Sequence, residues 1–400
     1  MEGPNMGGRS VRRTWQHDPT LYAAAQYRRA CEYETFIPDP LGGQQITLPG
    51  DVAGIVSDAE KAIADLNASA LPEFVPLARL LLRTESIASS KVEGLQVDTR
   101  DLGRAEAKLD AGRRVGPQAL DVLANIEAME LAIENATNAG PLDPAGICAI
   151  HRVLMAHDER IKRPGEFRKE QNWIGGNDYN PCGATYVPPP PDEVAALIDD
   201  LCGFVDSETL PPLLQAAIAH AQFETIHPFV DGNGRTGRAL IHVILRRRGL
   251  TPHFVPPISV ILAKRREGYV QGLELYRRDD LPEWTTTFAS AAAESAVLAL
   301  RYRGLVHDLQ LRWRERLASY SNPREDSASW AIIDVLPARP VVSVPLLTAA
   351  TGRSRAAVTN AVAELERAGV LIPMSDSKRY RSFEADGLLD LIARLEAGEP

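Results

Sequence analysis

The segment that most restricts the fold is residues 211–226, PPLLQAAIAHAQFETI, a strongly apolar stretch of helical length. It runs without a break into HPFVDGNGRTGR, residues 227–238, which sets one histidine, one carboxylate, one carboxamide, two arginines and three glycines within twelve positions. Packing a core requires no such run. The apolar helix is expected to end near Ile226, a glycine-rich turn to follow, and a new helix to begin near Arg235 and run on through RALIHVILRRRG, residues 238–249. The start of that helix leaves N–H groups without intrahelical partners and carries partial positive charge. Gly232 and Gly234 let the backbone approach a ligand closely, so turn and helix start together make a nest for phosphate oxygens. Asn233 can donate an amide N–H to the same oxygens. Arg235 and Arg238, three apart on one helix face, form a double clamp for a polyphosphate. Asp231 is a hard oxygen ligand suited to Mg²⁺ bridging phosphates. His227, of a residue type that titrates near neutrality, stands just outside the nest as a general base.

Other phosphate chemistries find no support. The chain has no G-x-x-x-x-G-K-[ST] loop, no H-R-D or D-F-G set and no H-E-x-x-H, which removes the P-loop, protein-kinase and zinc-hydrolase readings. At 400 residues it is expected to hold two or three domains. With 44% hydrophobic and 24% charged residues it has an ordinary globular composition, and its net charge of −9 argues against whole-chain affinity for nucleic acid. Cys31, Cys148, Cys182 and Cys202 form no C-x-x-C pair and are expected to be buried or incidental thiols. The opening MEGPNMGGRSVRRTWQ lacks the apolar segment of a signal peptide, and no run is long enough to span a membrane, so a cytoplasmic location is expected.

Along the chain, residues 1–20 read as a flexible arm. Helices are expected from about Val52, then through LPEFVPLARLLLRTESIASSKVEG, stopped by Gly94, then through QALDVLANIEAMELAIENATNAG, and through DPAGICAIHRVLMA with Asp143 as N-cap and Pro144 at the first helical position. The pattern then breaks into a Gly-, Asn- and Pro-rich stretch whose segments 167–174 and 184–187 are expected to pair as a hairpin, closed by four prolines at 188–191. Further helices follow, and SYSNPRED reads as a linker. The remainder, three short helices and two strands around a polar turn, has the pattern of a winged helix-turn-helix.

The stretch HPFVDGNGRTGR resembles, in full, the signature of Fic (filamentation-induced-by-cAMP) domains, and the resemblance extends over roughly residues 30–400. It implies a mainly α protein in which the flexible arm at 1–20 is followed by an N-terminal helical segment with an inhibitory helix at 21–115, a helical Fic core with a β-hairpin flap at 116–318, and a small winged-helix domain at 326–400. It also implies transfer of AMP from ATP to a Ser, Thr or Tyr hydroxyl of a target protein. In that scheme His227 deprotonates the hydroxyl, and Asp231 binds Mg²⁺. Gly232, Asn233, Gly234, Arg235, Thr236, Gly237 and Arg238 hold ATP. Tyr269, in RREGY, stands where relatives often place an aromatic against adenine. The related Doc toxins, which phosphorylate, carry a lysine at the position of Gly234, so Gly234 favours AMP transfer.

Two further segments resemble parts of that family. QNWIGG with ATYVPPPP resembles its flap, where Trp173, Ile174 and Gly175 would position the target, a strand-addition role. SSKVEG resembles its inhibitory motif, with Ser89, Glu93 and Gly94 in place. There the glutamate pairs with the second signature arginine, here Arg238, and so displaces the γ-phosphate. In some relatives the same glutamate supports AMP removal, an alternative activity for this chain. A homodimer is expected from the resemblance alone.

A rival reading comes from the C-terminal segment. Residues 353–381 hold six basic residues (Arg353, Arg355, Arg367, Lys378, Arg379, Arg381) and three acidic ones, against the chain's total of −9. With Thr359 and Asn360 at the start of the recognition helix and Lys378, Arg379 and Arg381 on the wing, this is a phosphate-contacting footprint, and the chain would be a DNA-binding regulator whose Fic core senses nucleotide.

Overall fold

The computed structural model describes residues 7–68, 75–110, 112–137, 140–374 and 381–399. In chain order the elements are β1 (Gly8–Trp15), β2 (Cys31–Pro38), α1 (Gly50–Ala68), α2 (Val75–Val92), α3 (Thr99–Asp110), α4 (Pro117–Thr137), α5 (Pro144–Leu154), α6 (Pro191–Asp206), α7 (Pro212–Ile226), α8 (Asn233–Arg247), α9 (Ile258–Lys264), α10 (Arg266–Arg277), α11 (Leu281–Tyr320), α12 (Ala328–Val335), β3 (Val341–Ser343), α13 (Val344–Thr351), α14 (Arg355–Arg367), β4 (Leu371–Pro373), β5 (Ser382–Ala385) and α15 (Leu388–Glu396). The chain divides into two compact units: residues 1–59, 131–249 and 267–290 form the first, and residues 60–130, 250–266 and 291–400 the second. No helix among the described residues is long and apolar enough to cross a membrane.

The first unit is organised around α7. Every residue from Leu213 to Ile226 is buried, as expected of a helix with no polar face. α6 and α8 pack against it, and α5 packs on α8. Gly237 permits the close approach of α7 and α8, since a Cβ there would run into Glu224 and come within 2.9 Å of the Phe223 ring. Prolines at the first turns of α5, α6 and α7 start those helices with φ already set, and Asp143 caps α5 by accepting the Gly146 N–H at 2.8 Å.

Two expectations change here. The arm expected to be flexible contains strand β1, paired antiparallel with β2 from Gly8↔Pro38 to Trp15↔Cys31. Its first six residues lie outside the described ones. Nor are Cys31 and Cys182 incidental thiols. They form a disulfide with Cα atoms 6.1 Å apart, joining the start of β2 to the loop after Trp173. Their separation of 151 residues hid the pairing from any local pattern. Cys148 and Cys202 are free, and burial pushes the Cys202 thiol up to about 12.

In the second unit α2, α3 and α4 share an apolar core of Ile87, Leu102, Val122 and Ile126. Helix α3 has no counterpart among the sequence expectations; it is short and rich in charged residues, and its narrow apolar face buries Leu102 and Ala105. α2 stops as Gly94 foresaw: at φ +82° the glycine takes the left-handed turn, and the Gly94 and Leu95 N–H groups return to the Lys91 and Ser90 carbonyls. Toward the C-terminus α12, α13 and α14 pack together beside a three-stranded antiparallel sheet of order β3-β5-β4. Lys378 and Arg379, assigned to the turn between β4 and β5, lie outside the described residues.

Candidate active site

Helix α7 ends at His227 with φ 49° and ψ 61°. That left-handed conformation is uncommon for a residue with a Cβ, and it has to be held in place. Arg168 is the holder. Only 3% exposed, it donates from Nε to the His227 carbonyl at 2.9 Å. Its Nη2 reaches the Pro189 carbonyl and, at 3.4 Å, that of Ile226, while its backbone N–H donates to the Pro228 carbonyl at 2.9 Å. The Tyr186 hydroxyl donates to the Thr225 carbonyl at 2.6 Å. The last carbonyls of α7, which no helix can satisfy internally, are thus answered by a buried cation at the negative end of the dipole. Burial lowers Arg168 to about 10, so it stays charged at neutral pH. The Arg277 guanidinium lies 4.2 Å over the Tyr186 ring and fixes that side chain in turn.

Beyond His227 the turn is braced from two sides. Asn233 accepts the Phe229 N–H at 2.8 Å and donates to the Phe229 carbonyl at 2.9 Å. Its carboxamide therefore closes the turn, where an additional phosphate donor was expected. From the other side the His151 ring stacks flat on Phe229, centroids 3.7 Å apart. His151 Nδ1 accepts the Gly165 N–H at 2.9 Å, which puts the proton on Nε2, and that nitrogen lies 2.9 Å from the Asp231 carbonyl and donates to it. Burial pushes the imidazole down to about 4, so His151 is a neutral brace. Asn172 adds a donor to the Phe229 carbonyl at 2.9 Å.

Gly232 is the N-cap of α8 at φ 75°, and a Cβ there would approach Met155 Sδ to 2.8 Å. The first intrahelical bond is that of the Thr236 N–H to the Gly232 carbonyl, so the amides just before Thr236 begin the helix as the nest requires. The Thr236 hydroxyl bonds the same carbonyl at 2.9 Å. Thr236 and Gly237 thus serve the helix start and the α7–α8 contact, and neither presents a side chain to a ligand. Arg235 and Arg238 are both buried, at 6% and 0% exposure, and the Arg235 Nη2 lies 3.6 Å from Met155 Sδ. Asp231 projects outward: Oδ1 accepts the Gly232 N–H at 2.6 Å, and Oδ2 lies 3.7 Å from Arg160 Nη2. No cluster of three or more His, Cys, Asp or Glu side chains able to hold a metal exists among the described residues. A single half-exposed carboxylate beside a phosphate nest fits Mg²⁺ held jointly with a nucleotide's phosphates.

Tyr269 departs from expectation. It is 4% exposed, with its hydroxyl 2.9 Å from His220 Nε2 and its ring stacked over that imidazole. Trp284 flanks both rings. A ring enclosed in this aromatic core cannot stack on adenine. Burial first, then the Arg238 charge, pushes His220 down to about 3.

The expected flap hairpin contracts to one bridge, Ile174↔Tyr186. Gly175 and Gly176, at φ +75° and +76°, turn the chain out of a ladder, and the loop beyond is tied by the Asn177 and Asn180 side chains. Trp173 is anchored through Nε1 to the Asn177 carbonyl at 2.6 Å and packs edge-on against Trp15 of β1. Ile174 is 42% exposed. On the other side β2 continues the arrangement, as Phe36 N–H donates to the Val187 carbonyl at 2.9 Å. In the second unit Ser89 is buried within α2, and Glu93 lies exposed on the turn at Gly94.

Residues 141–245 match the Fic/DOC family, and residues 55–134 match the Fic/DOC family N-terminal region. The protein adenylyltransferase Fic of Drosophila melanogaster is 30% identical over 214 residues, which cover 52% of this chain and 40% of that protein; its Drosophila virilis counterpart is 30% identical over the same length. The chain thus spans about 40% of the length of the curated relatives it matches. Among solved structures, a Fic family protein from Desulfovibrio desulfuricans superposes with a TM-score of 0.52 at 21% identity, covering 86% of this chain and 98% of that one. Fic-1 from C. elegans superposes at 0.51 and 19% identity, covering 62% and 72%.

Proposed function

The chain belongs to the Fic/DOC family through residues 55–134 and 141–245, and we propose that it is a protein adenylyltransferase moving AMP from ATP to a Ser, Thr or Tyr hydroxyl of a target protein and of itself. The observation that carries this reading is the order of groups along one turn. His227 is held left-handed at the end of α7, Asp231 faces outward, Gly232 opens α8, and Arg235 and Arg238 follow along its first turns.

The chemistry follows from those positions. The nest at Gly232 and Gly234 receives phosphate oxygens, and Arg235 and Arg238 draw the β- and γ-phosphates. The target hydroxyl loses its proton to the His227 imidazole as its oxygen bonds to the α-phosphorus, and the bond to pyrophosphate breaks. Asp231 would hold Mg²⁺, which would supply charge neutralisation for the phosphates. The exposed Ile174 edge of the flap would receive the target segment as an added strand. Glu93 would check the reaction by pairing with Arg238 and taking the γ-phosphate's anchor. Removal of AMP at the same site, a homodimer and a cytoplasmic location belong to the same proposal.

The test is label transfer from α-labelled ATP with Mg²⁺. Glu93→Gly is expected to label itself strongly, the unsubstituted chain weakly, and Glu93→Gly with His227→Ala not at all. A folded Glu93→Gly protein that takes up no label ends this reading.

A second reading has its own observation. Arg353, Arg355, Thr359 and Asn360 are all exposed at and along the start of α14. They support α12–α14 with the β3-β5-β4 sheet as a winged helix that contacts DNA phosphates. Arg381 contributes less than expected, since Glu366 holds it at 2.7 Å and it lies over Phe383. A duplex-DNA shift by the full chain that weakens with salt and with Arg353→Ala/Arg355→Ala would favour this role. A shift absent at low salt would remove it.

A further inference from the structure

We propose that the second unit carries a ligand site unconnected with nucleotide chemistry: a pocket for a small monocarboxylate with a short apolar body, built on Arg83. The pocket is a cavity of about 270 Å³ among α2, α3, α4 and residues 338–346. Arg83 lines it and is only 8% exposed. Glu106 of α3 takes its Nη1. Its Nε and Nη2 are buried and have no hydrogen-bond partner among the described residues. Those two atoms form one edge of the guanidinium, with two parallel N–H groups spaced to meet both oxygens of one carboxylate. A buried donor left unsatisfied costs about 1–3 kcal/mol, more for a charged group, so an edge of this kind calls for an acceptor.

The walls define the rest of the ligand. Leu109, Leu123, Ile126, Val341 and Leu346 supply an apolar lining continuous with the Ile87–Leu102–Val122–Ile126 core. The charges define its valence. Glu106 already balances one edge of Arg83, Glu130 engages Arg79 at 3.2 Å, and Glu127 also lines the space. With Arg339 also in the lining, three arginines meet three glutamates, so one added negative charge unbalances the space less than a phosphate dianion would. A cavity just below the usual ligand range, which begins at about 300 Å³, suits a small acid.

The full chain is titrated by calorimetry with sodium butyrate and sodium phenylacetate, with 1-butanol and inorganic phosphate as comparators. At least one acid is expected to bind saturably with Kd in roughly the millimolar range, as suits so small a ligand. Butanol should not bind, and phosphate should bind at least about tenfold more weakly. Arg83→Lys, which keeps the charge and loses the fork, should weaken binding about tenfold or more. Leu346→Trp, which fills the cavity from the opposite wall and leaves Arg83 in place, should abolish it in protein with unchanged circular dichroism. The proposal is overturned if neither acid binds up to about 50 mM, well above the expected range. It is equally overturned if phosphate binds as tightly as the acids, or if binding survives Leu346→Trp.

Discussion

Arg168 donates its Nε hydrogen to the carbonyl of His227 at 2.9 Å, from a position only 3% exposed. The candidate base is thereby oriented through its backbone by a residue 59 positions away in sequence. Arg168→Met should leave the Ile226, His227 and Pro189 carbonyls without their donor, and cost about 2–4 kcal/mol in urea unfolding. In a Glu93→Gly background it should also lower label transfer by about 10–100-fold, because a shifted base no longer meets its proton. Arg168→Lys should fall between the two, since an ammonium cannot fork across several carbonyls.

His151 makes stability depend on pH. Its folded-state value is about 4, below the ordinary 6.5, because burial favours the neutral ring. Between those two values the unfolded chain binds more protons than the folded one, so stability falls as pH drops through the window and levels off below it. The loss is about 3 kcal/mol across that range, and His220, lowered to about 3, acts in the same direction. Denaturation curves from pH 7 to pH 4 should show a shallower decline for His151→Gln than for the unsubstituted chain.

The Cys31–Cys182 bond closes a loop of 151 residues and ties the flap loop to β2. Unfolded, unreduced protein should present two thiols to a titrant, those of Cys148 and Cys202, and all four after reduction. Cys31→Ser should lower stability by about 2–4 kcal/mol and accelerate amide exchange over residues 173–186.

Gly237→Ala should separate packing from ligand binding. The added methyl meets Glu224 and Phe223 across the α7–α8 contact. A loss of about 1–3 kcal/mol is expected on thermal or urea unfolding. Gly234→Ala, where the chain is half-exposed, should leave stability within about 1 kcal/mol and act mainly on ATP binding.

Much of the molecule was legible because it is local. The apolar run before Ile226, the stop at Gly94 and the caps at Asp143 and Pro144 follow from neighbours a few residues apart, and the structure has helices in those places. The order base, carboxylate, glycine turn, arginines is written in twelve consecutive residues. Other features depended on distant partners. The carboxamide of Asn233 serves the turn, Tyr269 is enclosed with His220 and Trp284, and the arm at Gly8–Trp15 becomes a strand because β2 lies beside it. His151, Arg168 and Tyr186 carry no local signal at all. Each completes hydrogen bonds for backbone groups left over at the end of α7 and in the turn after it, and only the assembled tertiary structure brings a suitable donor to those groups. The sequence by itself determined which chemistry is available and in what order. The tertiary structure decided which of those side chains are left to perform it, because buried polar groups must first satisfy one another.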